Sequence, residues 1–455
     1  MPATQYRSSF DSISYGSGIS WCGKYSFVMA IFIPGFRDLR EQTQLAILAL
    51  FACLGILYLV PKMLPILNIG PHDHFDFGGL WLAGKIWASG QNPYDGPLFE
   101  KEYIDFLNLL VVPPPSNGVR ELLMLYPPYW YPLLVPFGFL SFKIAISIWK
   151  VINFSLLIGA THLIARALAD AACQRYMPIF LVGIGFVCFM QATAISLWSG
   201  QTSILVYFGL SAMIFGLLKA RPLVLIIGLV FLALKPNIGV VAFAAVAVLH
   251  RYRWTILPAA GVCLLASAPI AFTGGYRASI EGFLANLALQ PRTVSYTPNG
   301  INGLIRISDY LFSSSNASLG TPIVILAAIV CVVVVFHNSS FNKAPEIDSA
   351  QNKVASLALL VTIIFFFVPL HSYDLVSLAA LLMIVAIPFA GRWLIALGLL
   401  ICFRHLNLLG ALGFVNSRAL TFPESYLVSM GLFLLVVGAA WAIFTRIPLS
   451  KPKKL

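Results

Sequence analysis

The stretch LVLIIGLVFLALKPNIGVVAFAAVAVL, residues 223–249, holds two apolar halves separated by Lys235-Pro236-Asn237. Neither half reaches the roughly 20 residues that a helix needs to cross a hydrocarbon core of about 30 Å. A lysine inside such a stretch is costly and usually functional. Helices interrupted at membrane depth persist only where protein or a wet cavity satisfies the freed backbone groups. The stretch therefore reads as a broken membrane helix beside a cavity.

The rest of the chain has the same character. Of its 455 residues 59% are apolar and 10% charged, against about 45–50% and about 25% in soluble domains. Length alone suggests two or three soluble domains, but so few charges could not coat them. With 34 Gly, 28 Pro and 7 Cys, collagen-like, disordered and disulfide-scaffold classes are excluded too. An all-α polytopic membrane protein remains. Apolar runs at 44–66, 144–165, 178–198, 202–218, 254–273, 321–337, 354–370, 375–390, 393–409 and 426–445 predict further spans. Residues 128–141 are short for a crossing: either they are re-entrant, or the Arg166 turn lies on the other side of the membrane. Residues 1–41 carry no evident signal peptide. The cysteines form no CxxC pair and mostly sit in apolar runs, as buried thiols do.

The net charge of +12 invites a nucleic-acid reading. The basic residues are scattered in small groups between apolar runs, which excludes it and fits topology determinants on the cytoplasmic side. Residues 1–43 are then an inner segment and 44–455 a single membrane domain. The turns around Arg166/Arg175, Lys219/Arg221, Arg251/Arg253, Lys343/Lys353 and Arg392 fall inside with the C-terminal tail. Segments 67–127, 274–320, the His371–Asp374 turn and 410–425 fall outside. Segment 67–127 carries seven of the 17 acids. In it Phe77, Leu80, Trp81, Ile86 and Trp87 recur at near-helical spacing, predicting an amphipathic helix along the interface. Ile280, Phe283, Leu284, Leu287 and Leu289 predict another over 278–290.

The candidate site residues share the outer side. Asp76 follows His72-Asp73-His74-Phe75 and can serve as a general base for a hydroxyl. It can equally be a solvated loop acid, or bind a metal with His72, Asp73 and His74; without Cys or an HExxH pattern, no metal is expected. Tyr126-Pro127-Pro128-Tyr129-Trp130-Tyr131-Pro132 can start a helix within an aromatic belt, or stack on a sugar or isoprenoid. Gln201 is a cap, an interhelical bond or a substrate ligand. Lys235 can meet a lipid phosphate or snorkel. Arg292 and Arg306, flanking Asn299-Gly300-Ile301-Asn302-Gly303, are phosphate candidates or interfacial arginines. His371-Ser372-Tyr373-Asp374 can orient a group, bind phosphate, or be a polar turn. A base, several cations and aromatic walls on one face suggest chemistry on a lipid-linked, anionic, polyhydroxylated substrate. A transporter or flippase for lipid-linked sugars is the alternative, with residues 223–249 as its site; such proteins show paired repeats, and no counterpart of this stretch is visible.

Asp76-Phe77-Gly78-Gly79-Leu80-Trp81-Leu82-Ala83-Gly84 followed by Gly90-Gln91-Asn92-Pro93-Tyr94-Asp95 resembles the opening of glycosyltransferase family 87. Tyr126-Pro127-Pro128, Trp149, Gly200-Gln201 and Lys235-Pro236 then follow in the family's order, and His371 to Asp374 resembles its late segment. The resemblance implies a glycosyltransferase C-type fold with about 11–13 transmembrane or re-entrant helices. It further implies transfer of a hexose or pentose, mannose-like favoured, from a polyprenyl-phosphate donor to a glycolipid or polysaccharide acceptor. The reaction would take place at the outer face of the bacterial cytoplasmic membrane, by an inverting mechanism. The donor is a co-substrate and no cofactor is implied. The family's catalytic acid in the first outer loop carries over to Asp76. Tyr126, Gln201, Lys235, Arg292, Asn299, His371 and Asp374 are the expected substrate-binding residues.

Overall fold

A computed structural model describes residues 39–63, 75–109, 123–171, 175–273, 275–289, 301–304, 317–337, 341, 350–385, 392–402 and 424–444. Among them lie 17 α-helices and one antiparallel pair of two-residue strands. The helices before the first strand are α1 (Glu41–Met63), α2 (Phe75–Ala88), α3 (Gly96–Leu109), α4 (Tyr131–Gly138), α5 (Phe142–Ala171), α6 (Tyr176–Phe189), α7 (Gln191–Ser199), α8 (Ser203–Leu218), α9 (Pro222–Ala233), α10 (Pro236–Ala247), α11 (Ile256–Ser267) and α12 (Tyr276–Leu289). After β1 (Ile301–Asn302) come α13 (Ala317–His337), α14 (Ala350–Phe367), β2 (Leu370–His371), α15 (Ala379–Val385), α16 (Arg392–Cys402) and α17 (Glu424–Phe444).

Helix α1, helix α5 and the segment Arg253–Phe272 built around α11 are each long and apolar enough to cross a membrane. Shorter apolar helices, α8, α9 and α10 among them, pack with these spans. The chain is an all-α polytopic membrane protein.

Three expectations change. The run 178–198 is not one straight crossing: α6 and α7 meet at Met190 with a bend of 64°. Met190 has an extended ψ of 129°, which stops the helical ladder and turns Thr193, Ser196 and Ser199 of α7 into the interior, where all three are buried. The run 375–390 opens as a 3-10 helix, Ser372–Leu378, before α15 begins. Its start is pinned by reciprocal capping between His371 and Asp374, a hydrogen-bonded arrangement that competes with a regular first turn. Lastly, α2 is buried on most sides, with Phe77, Leu80, Trp81, Leu82, Ala83, Ile86 and Trp87 all enclosed. The division into apolar and polar faces falls on its neighbour α3, which buries Phe99, Tyr103, Phe106 and Leu107 and exposes Lys101, Asp105 and Asn108.

Helix α4 spans eight residues. At 1.5 Å per residue it is about 12 Å long, far from a crossing, and it lies against α2. A Cβ on Gly84 would stand 2.3 Å from the Leu134 carbonyl oxygen. Only glycine allows the two backbones to touch there.

Ion pairs gather the basic turns at one end of the bundle. Arg175 at the start of α6 pairs with Glu41 at the start of α1. Asp170 near the end of α5 pairs with both Arg166 and Lys219, the latter just after α8. The Tyr252 hydroxyl donates to the Leu217 carbonyl at 3.4 Å, which brings the Arg251/Arg253 turn to the same end. The start of α8, 16 residues away and so about 24 Å distant, lies at the opposite end among the acids and hydroxyls described next.

Candidate active site

The two irregular stretches satisfy each other. Helix α9 ends at Ala233 and α10 begins at Pro236, so carbonyls at the break lose their helical donors. The Trp130 indole N–H donates to the Leu234 carbonyl at 2.9 Å, and the Tyr129 hydroxyl donates to the Ala233 carbonyl. Both donors belong to Pro128–Trp130, the 3-10 turn that opens the 128–141 stretch. The break is held open by protein donors, and Lys235 is left at its centre.

Asp76 sits in the first turn of α2. Its neighbour Phe77 stacks on Trp149 of α5, with centroids 5.2 Å apart and planes 26° from parallel. The Trp149 indole N–H donates to the Gly200 carbonyl at 2.8 Å. Gly200 ends α7 with φ +73°, and a Cβ there would stand 2.6 Å from Phe77 Cβ. Glycine is required twice over, for the backbone angle and for the close approach. This contact sets Asp76 beside Ser199 and Gln201, whose polar side chains act on its carboxylate.

The Asp76 side chain is reached by solvent but surrounded by protein. Loss of water raises its pKa above the ordinary 3.8; the hydrogen bonds from Gln201 and Ser199, then the charges of His371 and Lys235, oppose the rise without cancelling it. A base raised in this way holds a proton more readily than a free carboxylate does.

Opposite Asp76 is an ionic cluster. Lys235 Nζ pairs with Asp374 Oδ1, and the Ser203 hydroxyl donates to the same oxygen. Lys235 Nζ also lies 3.3 Å from Ser203 Oγ and 5.3 Å from the centroid of the Tyr373 ring. The other Asp374 oxygen accepts the His371 backbone N–H at 3.2 Å. The His371 ring stacks on Tyr373 at 5.1 Å. Strand β2 carries His371 opposite Ile301 of β1, so the Ile301-Asn302-Gly303 end of the asparagine-glycine segment lies beside it.

Tyr126 closes the third side. Its hydroxyl lies 3.3 Å from Thr202 Oγ1, and its ring meets Trp130 edge-on at 4.8 Å. Tyr94, from the Gly-x-x-Pro-Tyr segment, donates its hydroxyl to the Tyr126 carbonyl at 2.6 Å. Behind them, α12 packs Phe283 on Tyr94 at 5.8 Å, and Asn286 donates to the Met124 carbonyl at 3.2 Å. Burial foremost, with the negative field of Asp76 and Asp374 added, holds the phenols of Tyr126 and Tyr373 above their ordinary pKa. Both remain neutral hydrogen-bonding groups near neutral pH.

Asp76, Tyr126, Gln201, Lys235, His371 and Asp374 thus come to one end of the bundle from α2, the loops and the helix break. Arg292 and Asn299 lie outside the described residues, as do Arg306, His72, Asp73 and His74. Among the described residues no group of three or more His, Cys, Asp or Glu could hold a metal. Sequence reasoning passed over Ser199, Thr202, Ser203 and Tyr373. Ser199 to Ser203 flank or include Gly200-Gln201, and Tyr373 stands inside the quoted His371–Asp374 run, so adjacency was the available signal.

A polytopic helical bundle with an acid, a lysine and paired aromatics gathered at one end has the make-up of a membrane enzyme acting on a polar substrate. The sequence model of glycosyltransferase family 87 matches residues 124–368, just over half of the chain, and the protein belongs to that family. It is a multi-pass membrane glycosyltransferase. The matched region takes in Tyr126, Gln201 and Lys235, while Asp76, His371 and Asp374 lie outside it and rest on their geometry. No curated protein matches the chain.

Proposed function

We propose that the protein transfers a hexose or pentose, mannose-like favoured, from a polyprenyl-phosphate donor to a hydroxyl of a glycolipid or polysaccharide acceptor. The reaction belongs to the outer face of the bacterial cytoplasmic membrane, with Asp76 as general base. The carrying observation is that a carboxylate raised by burial lies within the field of a lysine held by Asp374 and Ser203, with the neutral tyrosines Tyr126 and Tyr373 beside them.

In this reading Asp76 takes the acceptor hydroxyl proton as that oxygen bonds to the anomeric carbon. The bond from that carbon to the phosphate oxygen breaks, and the polyprenyl phosphate leaves with the electron pair. One displacement inverts the anomeric centre. Lys235 stabilises the phosphate as charge gathers on it, with His371 beside it. Tyr126 and Tyr373 offer rings for a sugar face and hydroxyls for its polar edge. No cofactor enters this scheme.

A transporter reading would use the α9–α10 break as an ion or substrate site. Transporter half-helices leave such ends open to their cargo, whereas here Tyr129 and Trp130 occupy the Ala233 and Leu234 carbonyls. The test is transfer from a panel of radiolabelled polyprenyl-phosphate sugars in proteoliposomes. We expect one donor to serve, and Asp76→Asn to lose about 10²–10⁴-fold in rate. Undiminished transfer by Asp76→Asn removes Asp76 as the base, and sugar-lipid flipping without transfer overturns the reading.

A further inference from the structure

The motif Lys235-Pro236-Asn237 contributes more than its lysine. Asn237 is the second residue of α10, and its side-chain oxygen accepts the Ile238 backbone N–H at 3.1 Å. With that oxygen engaged at the helix start, the amide nitrogen is the end left to reach elsewhere. It donates to the Pro369 carbonyl at 3.3 Å, across 132 residues of chain. Two residues earlier, Lys235 pairs with Asp374. The helix break therefore grips the turn 369–374 at both ends. Between the grips His371 stands opposite Ile301, its backbone N–H donates to Asp374 Oδ2 at 3.2 Å, and the Ser196 hydroxyl donates to the Tyr373 carbonyl at 3.2 Å. The Tyr373 ring is shared: the His371 ring stacks on it at 5.1 Å, and Lys235 Nζ lies 5.3 Å from its centroid.

We propose that Asn237 is a positioning residue of the phosphate end of the site: it anchors Pro369 while Lys235 anchors Asp374, and so holds the His371 ring and the Lys235 ammonium about Tyr373 at the spacing that grips the donor's phosphate. This rests on the reading of Lys235 and His371 as the groups that meet that phosphate. Asn237 acts through His371 and is not itself a phosphate ligand. Both phosphate-binding groups are referred to one element, the start of α10, so less ordering is left for the moment of binding. A neutral amide suits the place. It adds no charge beside the Lys235–Asp374 pair, whereas a carboxylate would turn a second acceptor towards the Pro369 carbonyl.

Polyprenyl phosphate and the uncharged polyprenol differ only in the group that this end of the site would hold. Their affinities for the full chain in lipid nanodiscs read the grip without turnover, and so without Asp76. Wild type should bind the phosphate more tightly than the alcohol. Asn237→Ala should weaken polyprenyl phosphate about tenfold, the upper reach of one hydrogen bond, and leave polyprenol unchanged. Asn237→Ser reads the same quantity should the alanine variant fold poorly, because its short hydroxyl can serve the helix start but cannot span to Pro369.

His371→Gln completes a double-variant cycle. It too should weaken the phosphate and spare the alcohol, and in its background Asn237→Ala should cost less than about twofold, as expected of two residues that act as a unit. Losses that multiply in the double variant overturn the proposal. So does an equal loss for both lipids, which marks Asn237 as support for the fold alone, and so does unchanged phosphate binding by the Asn237 variants. A wild type that does not distinguish the two lipids, or a His371→Gln variant with intact phosphate binding, fails the phosphate reading of Lys235 and His371 itself. A selective wild type and a weakened His371→Gln, with Asn237→Ala independent of it, fails the positioning role alone.

Discussion

The Trp130 indole N–H donates to the Leu234 carbonyl across 2.9 Å, joining the two stretches of the chain that are irregular at membrane depth. The 3-10 turn that leads into a short helix supplies the donors, and a broken helix supplies the stranded acceptors. Lys235 is one residue beyond the bonded carbonyl, so this contact also fixes where the cation of the site stands.

Trp130→Phe should therefore destabilise the protein by about 1–3 kcal/mol, the cost of leaving a buried acceptor unsatisfied. Thermal unfolding in detergent checks it. Trp254, 52% exposed, provides the control: Trp254→Phe should stay within about 0.5 kcal/mol of wild type.

Gly200→Ala should cost more than its single methyl suggests. The φ of +73° disfavours any Cβ, and this one would push Phe77 and with it Asp76. We expect destabilisation above about 1 kcal/mol together with a drop of at least about tenfold in transfer rate, read in the proteoliposome assay. A stable variant with full activity would contradict the packing described here.

Lys235 and Asp374 have side chains only 12% and 4% exposed, so each protects the other from being an unpaired buried charge. Lys235→Met and Asp374→Leu alone should each cost about 3–5 kcal/mol. The double variant should cost clearly less than the sum. Denaturation of the four proteins in one detergent completes the cycle.

Asp76 is raised above the ordinary carboxylate pKa of 3.8, so the fold favours its protonated form. Any stability from this preference is complete below the ordinary value and is lost as pH rises through the higher folded one. Asp76→Asn should thus be more stable than wild type near neutral pH, and the gap should close as the solution is made strongly acidic. Activity runs the other way. The acidic limb of the transfer profile should lie above the range of a free carboxylate.

Much of this was legible beforehand because membrane proteins advertise their solvent. Long apolar runs placed most helices, and scattered basic turns predicted that Arg166, Arg175 and Lys219 share one end, where Asp170 and Glu41 now pair with them. The bend at Met190 was hidden, since both of its arms are apolar enough to read as one span. The depth of α2 was hidden as well: its spacing of aromatics resembles an interfacial face, and only the packing of Phe77 on Trp149 and of Gly84 on α4 reveals a buried helix.

By itself the sequence determined the class of protein and the scatter of its basic residues among apolar runs. Apolarity and charge act locally on each segment, and the bilayer reads them in order along the chain. The tertiary structure alone decided who meets whom: Lys235 with Asp374 across 139 residues, Trp149 with Gly200, Tyr129 and Trp130 with the broken helix. Those contacts depend on short-range hydrogen bonds and close packing between distant segments. A linear pattern of hydropathy carries no record of them.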